Sequence, residues 1–155
     1  MAIVHVRIDD RLIHGQVAMI WTNSLSATRI MVVDDDASKS DLIKMSLKLA
    51  TPTSVSLSVL TIEKAAGRIL SGAYEGQRVL LVIKSPENLL KLIKYGVLIE
   101  SANIGNQAPK VASKQLNDTV SLTAESLEAC KLLRKLDVML TLKRLPTSET
   151  AEVIL

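Results

Sequence analysis

Short apolar runs alternate with amphipathic stretches from one end of the chain to the other. Ala2–Ile8 (AIVHVRI) predicts a strand, and Gln16–Leu25 predicts a helix with Val17, Ile20, Trp21 and Leu25 on one stripe. Arg29–Val33 (RIMVV) reads as a second strand, closed by Asp34, Asp35 and Asp36. Ser40–Leu49 predicts a helix whose Leu42, Ile43, Met45, Leu47 and Leu49 supply a broad apolar face, and Thr51-Pro52-Thr53 ends it. A strand over Val55–Leu60 leads through Thr61 into a helix ending at Leu70. Arg78–Ile83 (RVLLVI), apolar throughout its middle, predicts a buried strand. Ser85-Pro86-Glu87 places an N-cap and a first-turn proline ahead of a helix that stops at Gly96. Strands over Ser101–Ile104 and Thr119–Leu122 follow, then a helix over Thr123–Leu136 and a last strand over Val138–Leu142. Pro146 begins what reads as an exposed tail.

This alternation predicts an α/β fold, a doubly wound and mostly parallel sheet with helices on both faces. No internal repeat or Ser/Gly-rich linker divides the chain, so one domain over residues 1–155 is expected. Phe is absent and only Trp21, Tyr74 and Tyr95 are aromatic, leaving Ile, Leu, Val, Met and Ala to build the core. Aliphatic cores of that kind suit parallel sheets buried on both faces.

Charge narrows the function classes. The formal net charge is only +3, and the basic residues are dispersed with almost no aromatics among them. That argues against nucleic-acid binding, while a mild positive balance suits phosphate handling and an acidic partner. Cys130 is the single cysteine, so no internal disulfide forms, as in a reducing compartment. Arg7, Asp9, Asp10 and Arg11 arrive too early for a secretory leader, and no apolar run approaches the roughly 20 residues of a membrane span. A cytoplasmic protein is expected.

Ligands collect at the carboxyl ends of parallel strands. Three segments are expected there: Asp9–Gly15, Asp34–Asp36 and Gly105–Lys110. In the first, Arg7, Asp9, Asp10, Arg11 and His14 crowd together ahead of Gly15 and a helix start. The unpaired N–H groups of Gly15, Gln16 and Val17 and the positive end of the helix dipole suit a phosphate. Gly15 admits a tight turn and a close ligand. Arg11 offers a fork of donors, and a neutral His14 is a credible nucleophile toward phosphorus, its other nitrogen oriented by Asp9 or Asp10. Spacing alone leaves open a plainer reading, in which Arg and Asp form an ion-pair network and His14 caps the loop. Asp34–Asp36 reads as rim capping or as a Mg²⁺ or phosphoaspartate site, and Asn103–Gln107 (NIGNQ) as a turn or a crevice lining. His5, between Val4 and Val6 inside a strand, reads as a packed histidine. The chain lacks GxGxxG, GxxxxGK[ST] and GxSxG motifs, and it has too few His and Cys for a structural zinc site.

RIDDRLIHGQV (Arg7–Val17), with Trp21 four residues later, resembles the mannose/fructose/sorbose family of phosphotransferase-system (PTS) enzyme IIB subunits. VVDD at Val32–Asp35, the Ala50–Pro52 break, LSVLTIEKA at Leu57–Ala65, NIGN at Asn103–Asn106 and TVSLTAESLEA at Thr119–Ala129 extend the resemblance over nearly the whole chain. It departs from the family pattern at Gln107, where Met is common, and at Leu136-Asp137, where a Gly usually precedes the last strand. The resemblance implies a mostly parallel doubly wound fold and a phosphoryl group carried on His14. That group would come from the phosphohistidine of a IIA protein or domain and pass to a hexose-type sugar at the membrane IIC/IID permease. It implies that Arg11 stabilises the transferred group, that Arg7, Gly15, Gln16 and Val17 bind phosphate, and that Asp9, Asp10, Asp34 and Asp35 support the site. The donor is already activated, so no metal, nucleotide or other cofactor is implied. The implied location is the cytoplasm, peripheral to the permease. Two other classes stay open on residues alone. One is a receiver-like phosphoaspartate domain using Asp34–Asp36, Mg²⁺ and Lys84; the other is a non-catalytic module binding an anion at His14 and Arg11.

Overall fold

The computed structural model describes residues 2–155. Its elements run β1 (Ile3–Asp9), α1 (Gly15–Leu25), β2 (Arg29–Val33), α2 (Asp35–Ser38), α3 (Asp41–Ala50), β3 (Ser56–Leu60) and α4 (Ile62–Leu70). They continue with β4 (Val79–Ile83), α5 (Pro86–Lys94), β5 (Ser101–Asn106), β6 (Lys114–Gln115), β7 (Ser121–Leu122), α6 (Ala124–Lys135), β8 (Met139–Leu142) and β9 (Ala151–Glu152). Seven strands form the main sheet in the order β3-β2-β4-β1-β5-β8-β9, parallel except for β9 against β8. The expected α/β, doubly wound fold with helices on both faces is what the chain adopts.

Each face has its own core. Ile30, Val32, Leu80 and Val82 pack against Val17 and Trp21 of α1 and Leu47 of α3. On the other face, Ile8, Met31, Leu81 and Ile104 pack against α4, α5 and α6 through residues such as Ala65, Leu89 and Leu133. Both faces of β4 are covered, which is why all five of its residues are buried and its sequence runs apolar without alternation. Ser40, Thr61, Ser85 and Thr123 each accept a backbone N–H in the first turn of the helix they open, so the start signals in the sequence mark real caps.

The winding reverses at β1. The chain leaves β1 and β2 toward the β3 edge, but it leaves β4 and β5 toward the β8 edge. β1 lies between β4 and β5, so the crevice of this open sheet forms at its carboxyl end.

Three expectations need correction. On α1, Val17 and Trp21 pack inward, but Ile20 is exposed and Ala18 takes its place on the buried stripe. The tail after Pro146 is not simply exposed: Ala151–Glu152 pairs antiparallel with Leu142 and Thr141, and Val153 is fully buried. The apolar face of α3 is only partly used. Leu47 packs inward, whereas Leu42, Met45 and Leu49 project outward and Ile43 is partly exposed.

Candidate functional site

The Asp10–His14 loop leaves β1 at that crevice. Leu12 turns it with a left-handed backbone (φ 63°), a conformation that costs a leucine about 1–2 kcal/mol. Burial of Leu12 and its neighbour Ile13 in the α1-side core offsets that cost. His14 is left exposed as the N-cap of α1, with an extended backbone and no side-chain capping bond. Its carbonyl accepts from Ala18 N at 2.8 Å, leaving the first-turn N–H groups of Gly15, Gln16 and Val17 without intrahelical partners.

α1 differs in this from the other five helices among the described residues. Each of those begins with a side-chain cap and an acidic residue in its first turn. α1 has neither, so the positive end of its dipole is uncompensated beside His14. Space above Gly15 is also open, since a Cβ there would meet nothing within 4 Å. Gly15 has no left-handed backbone; the turn expected of it is made by Leu12.

Beneath the loop lies a charged lattice. Asp9, fully buried, accepts from Arg11 N at 2.9 Å, Arg11 Nε at 3.1 Å and Arg11 Nη2 at 3.0 Å. It also accepts from Arg7 Nη2 at 3.2 Å. Arg11 keeps part of its guanidinium exposed, and the Asp9 bonds hold its pKa above the usual arginine value. Arg7 is 3% exposed, which pushes its pKa down against the pull of Asp9. Its Nη1 reaches Asn103 Oδ1 at 3.2 Å and the carbonyls of Lys143 and Arg144 at 3.3 and 3.1 Å. The guanidinium lies over the Trp21 ring, 5.5 Å from its centroid, and against the bare Cα of Gly105. Asp10 accepts from Asn106 Nδ2 and Ala108 N, both at 2.7 Å, and so lashes the loop to the end of β5.

The site residues expected from sequence therefore separate. His14, Gly15 and Gln16 are exposed at the start of α1, and Arg11, three residues before His14 in the same loop, is exposed with its fork held by Asp9. Arg7 does not face a ligand there, because its donors are spent in the interior. Asp9 and Asp10 do not orient the imidazole; they orient Arg11 and the loop. Asp34 caps α2 by accepting from Ala37 N at 3.0 Å. Asp35 accepts from Ile62 N at 2.9 Å and lines a separate open cleft of about 400 Å³ with Lys39, Glu63, Lys91 and Tyr95. Both aspartates act as backbone caps, and no three His, Cys, Asp or Glu side chains converge as a metal-ligating set among the described residues. Sequence reasoning missed Leu12, Trp21 as the cover of Arg7, and the Lys143–Arg144 carbonyls.

Known proteins share this sequence pattern and this fold. The family model for the PTS system sorbose subfamily IIB component matches residues 3–154. The sorbose-specific EIIB component of Lacticaseibacillus casei is 32% identical over 154 residues, covering 99% of this chain and 94% of that protein. The mannose-specific EIIAB component of Escherichia coli K12 is 35% identical over 95% of this chain, which spans 46% of that protein. The crystal structure of the IIBSor domain of the Klebsiella pneumoniae sorbose permease superposes with a TM-score of 0.92 at 33% identity, covering 98% of this chain and 93% of that one. The family match over nearly the whole chain, with these relatives and this fold, places the chain in the sorbose subfamily of PTS IIB components.

Proposed function

We propose that this phosphotransferase-system component carries the phosphoryl group on His14, taking it from a IIA phosphohistidine and passing it to a sugar at the membrane IIC/IID permease. The observation that carries this reading is the uncapped, uncompensated start of α1 beside an exposed histidine. Neutral His14 attacks phosphorus with its free ring nitrogen as the bond from phosphorus to the donor imidazole breaks. His14 gives up its other ring proton to solvent, and the donor imidazole takes a proton from solvent on its other nitrogen and so leaves neutral, with no net change in protons. Charge spread over the moving phosphoryl oxygens is met by Arg11 and by the Gly15, Gln16 and Val17 N–H groups. Asp9 holds the Arg11 fork in place before the donor arrives, so little reorganisation accompanies transfer.

The fused EIIAB relative supports a IIA partner, since there the two functions share one chain. Relatives carry names for sorbose, fructose and mannose, and an N-acetylgalactosamine-specific IIB component has the same fold at a TM-score of 0.92. Sugar choice is therefore assigned to the membrane partners. No helix among the described residues is long and apolar enough to cross a membrane, so those partners supply the transport path.

The test is intact-protein mass after incubation with phosphoenolpyruvate, the general phosphotransferase proteins and a IIA. One added phosphoryl group on the wild type and none on His14→Ala is the expected result. Equal labelling of the two removes His14 from the role. Saturable phosphate binding without a mass change would favour the anion-binding module.

A further inference from the structure

α3 (DLIKMSLKLA) buries Leu47 against the sheet and turns a second apolar stripe away from it. Leu42, Met45 and Leu49 recur at spacings of three and four residues, so they share one side of the helix. They are 77%, 63% and 83% exposed. The stripe amounts to several hundred Å² of bare apolar surface, as much as the largest patch a typical monomer leaves to water. It is also close to the apolar part of the roughly 800 Å² that each partner of a stable pair covers. Two exposed charges flank the stripe on the same side, Asp41 in the first turn and Lys48 in the last. Seven residues apart, they lie about 10 Å from each other along the axis and cannot meet within one helix. Neither is in an ion pair among the described residues. Lys44, the other cation of α3, is turned farther from the stripe.

We propose that a second copy of this chain docks on α3, the two α3 helices packed antiparallel about a two-fold axis beside Met45. That axis sets Leu42 of one copy against Leu49 of the other, and Met45 against Met45, so the whole stripe is covered. Along the helix axis it also brings Asp41 within about 2 Å of Lys48 of the other copy, and symmetry repeats the pair. A parallel pairing would instead set the Asp41–Lys48 flank across from the Ser46 flank, leaving both charges without a partner. The pattern of charges on this helix thus selects one orientation. A patch of this size supports a reversible dimer in the micromolar range. None of this depends on the phosphoryl chemistry, so the test needs no activity.

Sedimentation equilibrium of the whole chain, from low to high micromolar concentration, reads the association, with a melting curve on each variant. The mass of the wild type should rise from the 16.8 kDa of one chain toward twice that. Met45→Glu sets two carboxylates together on the axis and should stay monomeric throughout. Asp41→Lys and Lys48→Asp each replace two attractions by two repulsions, so each alone should weaken self-association about tenfold or more. Mixed in equal amounts, these two variants should form a heterodimer about as tight as the wild-type dimer, because both cross pairs are then opposite in charge. All three positions are exposed, so melting temperatures should stay close to the wild type. A wild type that stays monomeric overturns the inference. So does one whose α3 methyl signals in NMR move only when a IIA protein is added, which would assign the stripe to that partner. A dimer that survives Met45→Glu, or equal association of the two charge variants and their mixture, puts the contact elsewhere and overturns it too. Should Met45→Glu fail to fold, the charge variants decide alone.

Discussion

The guanidinium of Arg7 rests on Gly105 so closely that a methyl group there would occupy the space of the guanidinium itself. Because Arg7 also meets Asp9, Asn103 and the carbonyls of Lys143 and Arg144, Gly105 is the gap that lets one buried cation join β1, β5 and the chain after β8.

Gly105→Ala should therefore act as overpacking, lowering stability by about 1–3 kcal/mol, read as a lower urea midpoint at unchanged slope. Gly15→Ala is the control. Nothing lies within 4 Å of its added methyl, so its midpoint should stay near the wild type while phosphoryl transfer slows.

Asp9→Asn should be far more damaging than its size suggests. The substitution leaves Arg7 buried without its counter-charge and frees the Arg11 fork. Breaking a buried pair from one side costs about 3–5 kcal/mol, so a large drop in the denaturation midpoint is expected. A near-neutral midpoint would show that Arg7 is satisfied by its carbonyl partners alone.

Arg11→Ala should separate rate from stability. The side chain is 36% exposed, and Asp9 keeps Arg7 as a partner. Loss of a preorganised donor at a developing charge is worth about a hundredfold in rate. Single-turnover transfer to His14 should fall by that order, with the melting temperature only slightly lower. An unchanged rate removes Arg11 from the site.

His5 predicts a particular pH dependence. Its pKa is lowered from the ordinary 6.5 to about 4, first by burial. Between those values the unfolded chain binds a proton that the folded chain does not. The contribution to stability is complete above about pH 6.5 and is lost as the pH falls toward 4, reaching about 3 kcal/mol. Urea midpoints at pH 7 and pH 4.5 should differ less in His5→Gln than in the wild type. An identical difference would mean that His5 does not titrate in this window.

Cys130 is fully buried on α6, and burial together with Glu87 pushes its thiol up to about 12. Iodoacetamide at pH 8 should leave it unmodified in the native protein and alkylate it in urea. Rapid native labelling would mean that α6 opens easily.

The fold was legible because its signals are local. β4 is a bare apolar run, and Ser40, Thr61, Ser85 and Thr123 are caps that a sequence displays directly. What escaped was set by distant contacts or was too short to repeat. α2 has four residues, which is one turn and no periodicity. β9 is only the pair Ala151–Glu152, too short to carry a pattern, and the open edge of β8 makes it a strand. The site divides in the same way. His14, Arg11 and the helix start are neighbours in sequence and were legible together. Arg7 looked like a phosphate ligand because three of its four partners lie 96 to 137 residues further along the chain, where no local pattern reveals them.

The most direct test of the central claim is to map the label after transfer from phosphoenolpyruvate through the general phosphotransferase proteins and a IIA. A label stable in alkali, labile in acid and located on His14 is expected. A label on Asp34 or Asp35 that alkali removes, or no label from a donor chain shown to be active, would contradict it.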